Sequence, residues 1–166
     1  MSTIFIQIAA YRDSELKKTL KDCLVKAKWP ENLIFSIAWQ HSKEDVWDNL
    51  DEYKDDPRFK VIDIDFMKSN GVCWARNLLQ QQYAGEDYTL QLDSHHRFVQ
   101  GWDEYLIDTH NLLKRKGFKK PLITGYIPGY DPITETYINP NEVWTLAFNR
   151  FSPEGMIHLN PNTEPN

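Results

Sequence analysis

Cysteine is scarce: Cys23 and Cys73 are the only two in 166 residues, too few for a disulfide framework. Both stand in half-apolar stretches of helical pattern, which predicts reduced, buried thiols. The apolar opening, Thr3 to Ala10, is too short to span a bilayer. Met1 to Ile8 has neither a basic leader region nor a cleavage site, so the chain reads as soluble and cytoplasmic. Excess positive charge is lacking as well. Lys and Arg number 19 against 24 Asp and Glu, a net charge of −5, and the isoelectric point lies near 5.5. That balance excludes bulk nucleic-acid binding, and an anionic ligand needs local help from a metal, an arginine or a helix N-terminus. The five histidines are scattered. No internal repeat or linker interrupts the chain, so residues 1–166 read as one domain.

What is present is aromatic bulk. Six Trp, eight Tyr and eight Phe accompany an apolar fraction of 41%, enough to build a real core. Thr3 to Ala10 predicts a first strand that stops at Tyr11-Arg12-Asp13. Asp13 or Ser14 can cap a helix with Leu16, Leu20, Leu24 and Ala27 on one face, ended by Trp29-Pro30. Leu33 to Trp39 predicts a second strand, followed by an acidic helical segment carrying Val46, Trp47 and Leu50 and closed by Pro57. Phe59 to Phe66 alternates as a third strand. Ser69-Asn70-Gly71 opens a helix with Val72, Ala75, Leu78, Leu79 and Tyr83 on its apolar side. Tyr88 to Leu92 is a fourth strand, and a helix runs from about Gly101 to Leu113. Beyond it, Pro121 to Tyr126 and Val143 to Phe151 read as strands, 128–142 as loop, and 160–166 as an unstructured tail. The strand–helix rhythm predicts an α/β fold, a mostly parallel sheet flanked by helices.

The chemistry concentrates in Tyr88-Thr89-Leu90-Gln91-Leu92-Asp93-Ser94-His95-His96-Arg97-Phe98. Strand side chains alternate faces, so Asp93 and His95 are expected on one side at a strand's carboxyl end, where open α/β sheets bind ligands. A carboxylate and an imidazole there can grip one divalent metal; the plainer alternative is a strand-end turn capped by Asp93. Arg76 is either an exposed helix arginine paired with a carboxylate or a ligand contact. Of the acidic pair on the third strand, Asp65 lies nearer the carboxyl end than Asp63, although a solvated edge explains both. Trp29, Trp39, Trp47 and Trp74 read as core, and the Lys114–Lys120 cluster as a solvated helix end.

Taken with Gly71-Val72-Cys73-Trp74-Ala75-Arg76-Asn77, Gly85-Glu86-Asp87, Arg97-Phe98, Trp102-Asp103 and Gln7 to Asp13, this stretch resembles a GT-A-type, nucleotide-sugar-dependent glycosyltransferase. More narrowly, it is similar to the N-acetylglucosaminyltransferases that modify hydroxyproline or threonine in polypeptides. The resemblance covers most of the chain to about residue 105 and implies a GT-A (Rossmann-like) sheet. It implies that Asp93 and His95, as an Asp-x-His motif, hold Mn²⁺ or Mg²⁺ against the diphosphate of a UDP-sugar, most simply UDP-GlcNAc. It also implies that Ala10, Tyr11, Arg12 and Asp13 border the uridine, that Arg76 reaches the diphosphate or sugar, and that Ser94 lies near the ribose or metal. Asp65 joins these as a nucleotide-sugar contact. The expected reaction is retaining transfer to a hydroxyl of a polypeptide or glycan. No base or nucleophile is assigned, and no acidic pair follows residue 131 to build an acceptor site; His158 is a spare ligand. Two other functions compete: a catalytically incomplete UDP-sugar-binding domain, and a metal-dependent phosphoester hydrolase. The second needs more clustered His and Asp than the sequence offers.

Overall fold

The computed structural model describes residues 2–47, 49–125, 127–138 and 142–165, with side chains described except at 142–145 and 161–165. The chain divides into two compact units, Met1–Ile107 and Asp108–Asn166, a division that the sequence, without linker or repeat, does not announce.

The first unit is built on four parallel strands, β1 (Ile4–Tyr11), β2 (Leu33–His41), β3 (Phe59–Asp65) and β4 (Tyr88–Leu92), in the order β3-β2-β1-β4. Three helices accompany them: α1 (Leu16–Lys26), α2 (Val72–Gln80) and α3 (Trp102–Arg115), the last running across the unit boundary. Parallel strands covered on both faces carry near-continuous apolar runs, and β1 obeys this, with Ile4, Phe5, Ile6, Ile8 and Ala10 all buried. Ile4, Ile6 and Ile8 pack in one cluster with Leu16, Leu20 and Cys23 of α1, Phe35 and Ile37 of β2, and Phe98 and Trp102. A smaller cluster joins Ala38 and Ile64 to Ala75 and Leu79 of α2. The buried stripe of α1 is Leu16, Thr19, Leu20 and Cys23, the helical i, i+3, i+4, i+7 spacing with one polar member.

Register positions the site. β4 leaves the ladder at the pair Ile8↔Leu92, whereas β1 and β2 stay paired as far as Tyr11↔Gln40. The chain beyond Leu92 therefore runs free along the carboxyl edge of a still-extending β1. The start of α3 is tied to the turn after α1: buried Asp103 accepts hydrogen bonds from the backbone N–H groups of Lys28 (2.8 Å) and Trp29 (2.9 Å). Trp102 Nε1 donates to the Cys23 carbonyl at 3.0 Å.

The second unit holds two antiparallel hairpins, β5 (Gly129–Asp131) with β6 (Thr136–Ile138), and β7 (Glu142–Phe151) with β8 (Ile157–Pro165). β7 contains the expected strand 143–151. Among the described residues no helix is long and apolar enough to cross a membrane.

Several expectations differ from the structure. The segment after β2 is not a helix; it forms turns and one 3-10 turn, Asp51–Tyr53. Its short polar side chains bond the local backbone instead, Ser42 Oγ accepting from Glu44 N (3.2 Å) and Asn49 Oδ1 from Asp51 N (2.6 Å). Of the expected apolar stripe only Leu50 enters the core, whereas Val46 (84%) and Trp47 (48%) are exposed. No strand forms over 121–125, and Tyr126 lies outside the described residues. Within the expected loop 128–142 the β5–β6 hairpin forms around Asp131, whose Oδ1 accepts from Ile133 N at 2.8 Å; residues 139–141 lie outside the described residues. The expected tail 160–166 extends β8 as far as Pro165, because pairing with β7 overrides the weak strand propensity of Asn and Pro, and Asn166 lies outside the described residues. Cys23 is buried and its thiol pKa is pushed far up by burial, but Cys73 is exposed on the first turn of α2.

Replacing Asp103 with Ala leaves two backbone N–H groups without their acceptor. The expected loss is about 1–3 kcal/mol of unfolding free energy, read from urea denaturation of the full chain.

Candidate functional site

Both neighbours of β1 follow it in sequence, β2 reached through α1 on one side and β4 on the other, so the strand order reverses between β1 and β4. Such a switch point opens a crevice beyond the strand ends, where α/β sheets bind ligands. Asp13, just past β1, stands at this crevice and uses both carboxylate oxygens. Oδ1 accepts from Glu15 N at 2.9 Å. Oδ2 accepts from Ser94 Oγ at 2.6 Å and meets His95 Nδ1 at 2.8 Å. An ionised carboxylate only accepts, so the His95 proton sits on Nδ1. Burial pushes the Asp13 pKa up, but the bonds from Ser94, His95 and the Glu15 backbone outweigh it and hold the group below its ordinary range.

The 93–98 segment has no ladder, and α1 supplies its partners. Thr19 Oγ1 lies 2.8 Å from the Ser94 carbonyl and accepts from His96 N at 3.0 Å. Glu15 pairs with Arg97, and Asp22 Oδ2 accepts from Phe98 N at 2.7 Å. Glu15, Thr19 and Asp22 share one face at i, i+4, i+7. His96 turns inward, its Nδ1 3.0 Å from the Asp93 carbonyl, and burial lowers its pKa, so it is neutral at pH 7. Across the crevice, Arg76 of α2 donates through Nη2 to Asp93 Oδ1 at 3.1 Å. Both partners are partly exposed.

A second part of the site lies at the ends of β1 and β2. Arg12 adopts a left-handed backbone, φ +47°, sparsely populated for a non-glycine residue. Three contacts hold it: its N–H donates to the Gln40 carbonyl at 2.8 Å, its guanidinium grips buried Asp45 at 2.9 and 2.8 Å, and it lies 4.5 Å over the Phe66 ring. The bidentate bond raises the Arg12 pKa and lowers that of Asp45. Beside this turn opens a pocket of ≈ 530 Å³ whose lining includes Tyr11, Gln40, Phe66, Ser69, Gly71 and Val72. Gln40 spans its floor, donating to the Ala10 carbonyl (3.1 Å) and accepting from Ser69 Oγ (2.6 Å). Gly71, at φ +88°, starts α2 from a backbone conformation that side chains disfavour.

The expected site residues fall into distinct settings. Tyr11 lines the pocket, whereas Ala10 is buried and offers only its carbonyl. Arg12 is committed to Asp45 rather than free in the crevice. Asp65 is exposed and caps the 3-10 turn Phe66–Lys68 by accepting from Met67 N at 2.9 Å. Asp13, Arg76, Asp93, Ser94 and His95 converge around the β4 end. Strand alternation does not govern Asp93 and His95, because β4 ends at Leu92; one side chain meets Arg76 and the other meets Asp13. Both are exposed, and a carboxylate with an imidazole is a donor set that suits a hard or borderline divalent ion. Among the described residues no group of three or more His, Cys, Asp or Glu is gathered to hold a metal, which gives no support to a multi-histidine hydrolase centre. His158 stands on β8 opposite Arg150. Thr19, Gln40, Asp45, Phe66 and Ser69 escaped the sequence reading. The one available signal was Thr19, a polar residue inside the apolar stripe of α1.

The Glycosyltransferase (GlcNAc) family model matches residues 3–58 and 53–164. The chain belongs to this glycosyltransferase family. Its fold is similar to the crystal structure of S. aureus TarS 1–349, with a TM-score of 0.51 at 13% identity over 81% of this chain and 43% of that one. The glycosyltransferase chain thus spans less than half the length of that structure. No curated protein sequence matches it. The likeness in fold supports the GT-A-like parallel sheet and flanking helices expected from the sequence.

Two outcomes follow for this glycosyltransferase domain. Thr19→Val removes the hydroxyl that serves Ser94 and His96, at an expected cost of about 1–3 kcal/mol, with faster hydrogen exchange at the His96 amide as the local readout. Because the Asp13 pKa is lower folded than unfolded, its contribution is present above the unfolded value, near pH 4, and lost as pH falls below it. The gap in urea midpoint between wild type and Asp13→Asn is therefore expected to be constant above about pH 5 and to narrow below about pH 4.

Proposed function

We propose that this chain binds a UDP-linked sugar, UDP-GlcNAc first among them, and transfers the sugar with retention to a hydroxyl of a polypeptide or glycan. The observation that carries this reading is the pairing of Arg76 with Asp93 at the switch point, beside the Asp13–His95 pair. A cation already rests on Asp93, and an exposed imidazole stands two residues further on. Mn²⁺ or Mg²⁺ bound by Asp93 and His95 would neutralise the charge that develops on the departing UDP. With two protein ligands, most of an octahedral shell remains for diphosphate oxygens and water.

The chain's own residues have defined tasks in this scheme. The Arg76–Asp93 pair is a single bond between partly exposed groups, so it yields readily. With Asp93 engaged by a divalent ion, the Arg76 guanidinium would be free to donate to a phosphate oxygen. The pocket at Tyr11, Phe66 and Ser69 suits a flat base with polar edges: two aromatic rings, the hydroxyls of Tyr11 and Ser69, and a floor fixed by Gln40. The paired state of Arg12 serves this pocket by fixing the β1 exit, not by reaching the phosphates. A front-face route to retention requires no protein nucleophile. Membership of a GlcNAc glycosyltransferase family supports the donor class; the acceptor rests on the resemblance alone.

Calorimetric titration of the full chain with UDP, with and without Mn²⁺, tests the reading. Metal-dependent UDP binding is expected, weakened at least about tenfold by Asp93→Ala or His95→Ala. Arg76→Gln is expected to weaken UDP by about 1.5–3 kcal/mol, as for a lost charged hydrogen bond. UDP binding indifferent to Mn²⁺ and to Asp93→Ala would sink the proposal. Binding without transfer or donor hydrolysis would leave a sugar-nucleotide-binding domain alone.

A further inference from the structure

We propose that Asp13 is a positioning residue that fixes the His95 imidazole and leaves Nε2 as its metal-binding atom, rather than a contact to uridine. The inference rests on reading Asp93 and His95 as metal ligands and adds to it the device that sets the His95 tautomer.

Three observations carry it. First, Asp13 Oδ2 stands 2.8 Å from His95 Nδ1. A carboxylate cannot donate, so Nδ1–H is the donor, and in the neutral imidazole Nε2 keeps its lone pair. A metal-bound histidine is commonly oriented in this way, by a carboxylate on its other nitrogen. Second, Asp13 has little capacity left for a ligand. Oδ1 takes Glu15 N, and Oδ2 takes both Ser94 Oγ and His95. Its side chain is only 19% exposed, whereas that of His95 is 63% exposed. The buried member orients the accessible one. Third, the support continues inward. Ser94 is buried, and its carbonyl lies 2.8 Å from Thr19 Oγ1, so the residue between the two ligands is fixed at both hydroxyl and backbone. Left to itself the His95 ring would sample both tautomers and rotate, and among the described residues Asp13 is the side chain that its Nδ1 meets. Asp13 removes both freedoms before any ion arrives.

Two readouts decide it. In ¹⁵N-histidine NMR of the metal-free full chain, His95 is expected as the Nδ1–H tautomer, shifting toward Nε2–H in Asp13→Ala. Mn²⁺ affinity, titrated at saturating UDP, is expected to fall about 10–100-fold in Asp13→Ala. Asp13→Asn retains an acceptor oxygen without the charge, and should keep the tautomer and lose less; Ser94→Ala, which frees part of Oδ2, should do likewise. These milder variants serve if Asp13→Ala does not fold. Mn²⁺ affinity within about twofold of wild type in Asp13→Ala, with His95→Ala still abolishing it, would overturn the positioning role and leave the metal site standing. A loss of affinity with the tautomer unchanged would make Asp13 a direct ligand and likewise overturn it. Wild-type Mn²⁺ binding that ignores His95→Ala would remove the metal reading itself, and the inference with it.

Discussion

The unpaired backbone beyond β4 is the constraint on which this site depends. β4 stops opposite Ile8, and the next residues still run beside a buried sheet edge. Backbone N–H and C=O groups in that position must find partners, because an unmet buried polar group costs about as much as a hydrogen bond. The partners are side chains of α1: Thr19 for the Ser94 carbonyl and the His96 N–H, and Asp22 for the Phe98 N–H, while Glu15 and Asp13 hold the side chains of Arg97 and Ser94. α1 is itself held by Leu16, Leu20 and Cys23 against β1. The hydrophobic face of one helix thus carries a polar stripe to the place where a second strand ends. Rigid placement of the Asp93–His95 segment is a consequence of core packing, which is how a loop site acquires the precision of its scaffold.

The other half of the crevice uses the same logic with a different solution. β1 must turn sharply after Tyr11 to reach α1, and it does so through a left-handed Arg12. Such a conformation in a non-glycine residue persists where surrounding contacts over-determine it. Here a backbone bond to Gln40, a bidentate bond to Asp45 and the face of Phe66 do so. The segment after β2 fails to become a helix for a related reason. Asp45 is needed by Arg12 and by Ser42 N at 3.0 Å, which holds the chain in a turn.

Most of the first unit was legible in the sequence because hydrophobic period is a strong signal where strands are buried and helices one-sided. β1, β2, β3 and β4 fall, within a residue or two, where the runs Thr3–Ala10, Leu33–Trp39, Phe59–Phe66 and Tyr88–Leu92 place them. The misreadings share one cause: long-range contact decides where local pattern is weak. Val46, Trp47 and Leu50 have helical spacing, yet Asp45 and Asn49 answer to turns. Asn160, Asn162 and Pro161 lack strand character and pair with β7 nonetheless. The site shows the same division. Asp93, His95 and Arg76 were visible as motif residues, but their partners were not. Nothing in the spacing of Asp13 and His95, or of Thr19 and His96, says that they touch across more than seventy residues of chain.

Charge accounting bears on how an acidic chain could accommodate the proposed diphosphate. The net charge is −5, and carboxylates crowd this end of the sheet. Each of those around the β4 end faces a cationic or hydrogen-donating partner: Asp93 with Arg76, Glu15 with Arg97, Asp13 with His95 and Ser94. Around the β1 exit, Asp45 is matched by Arg12. The field at the crevice is therefore set by local pairs more than by the whole molecule, since exposed charges farther off are screened over roughly 10 Å of salt solution. Among these pairs the degree of burial ranks their readiness to change partners. Arg97–Glu15 and Arg12–Asp45 each have a member largely withdrawn from water, whereas Arg76 and Asp93 are exposed by 31% and 58% and share one bond. The tight pairs shape the crevice, and the loose pair is the one that the proposed dication and diphosphate would divide between them.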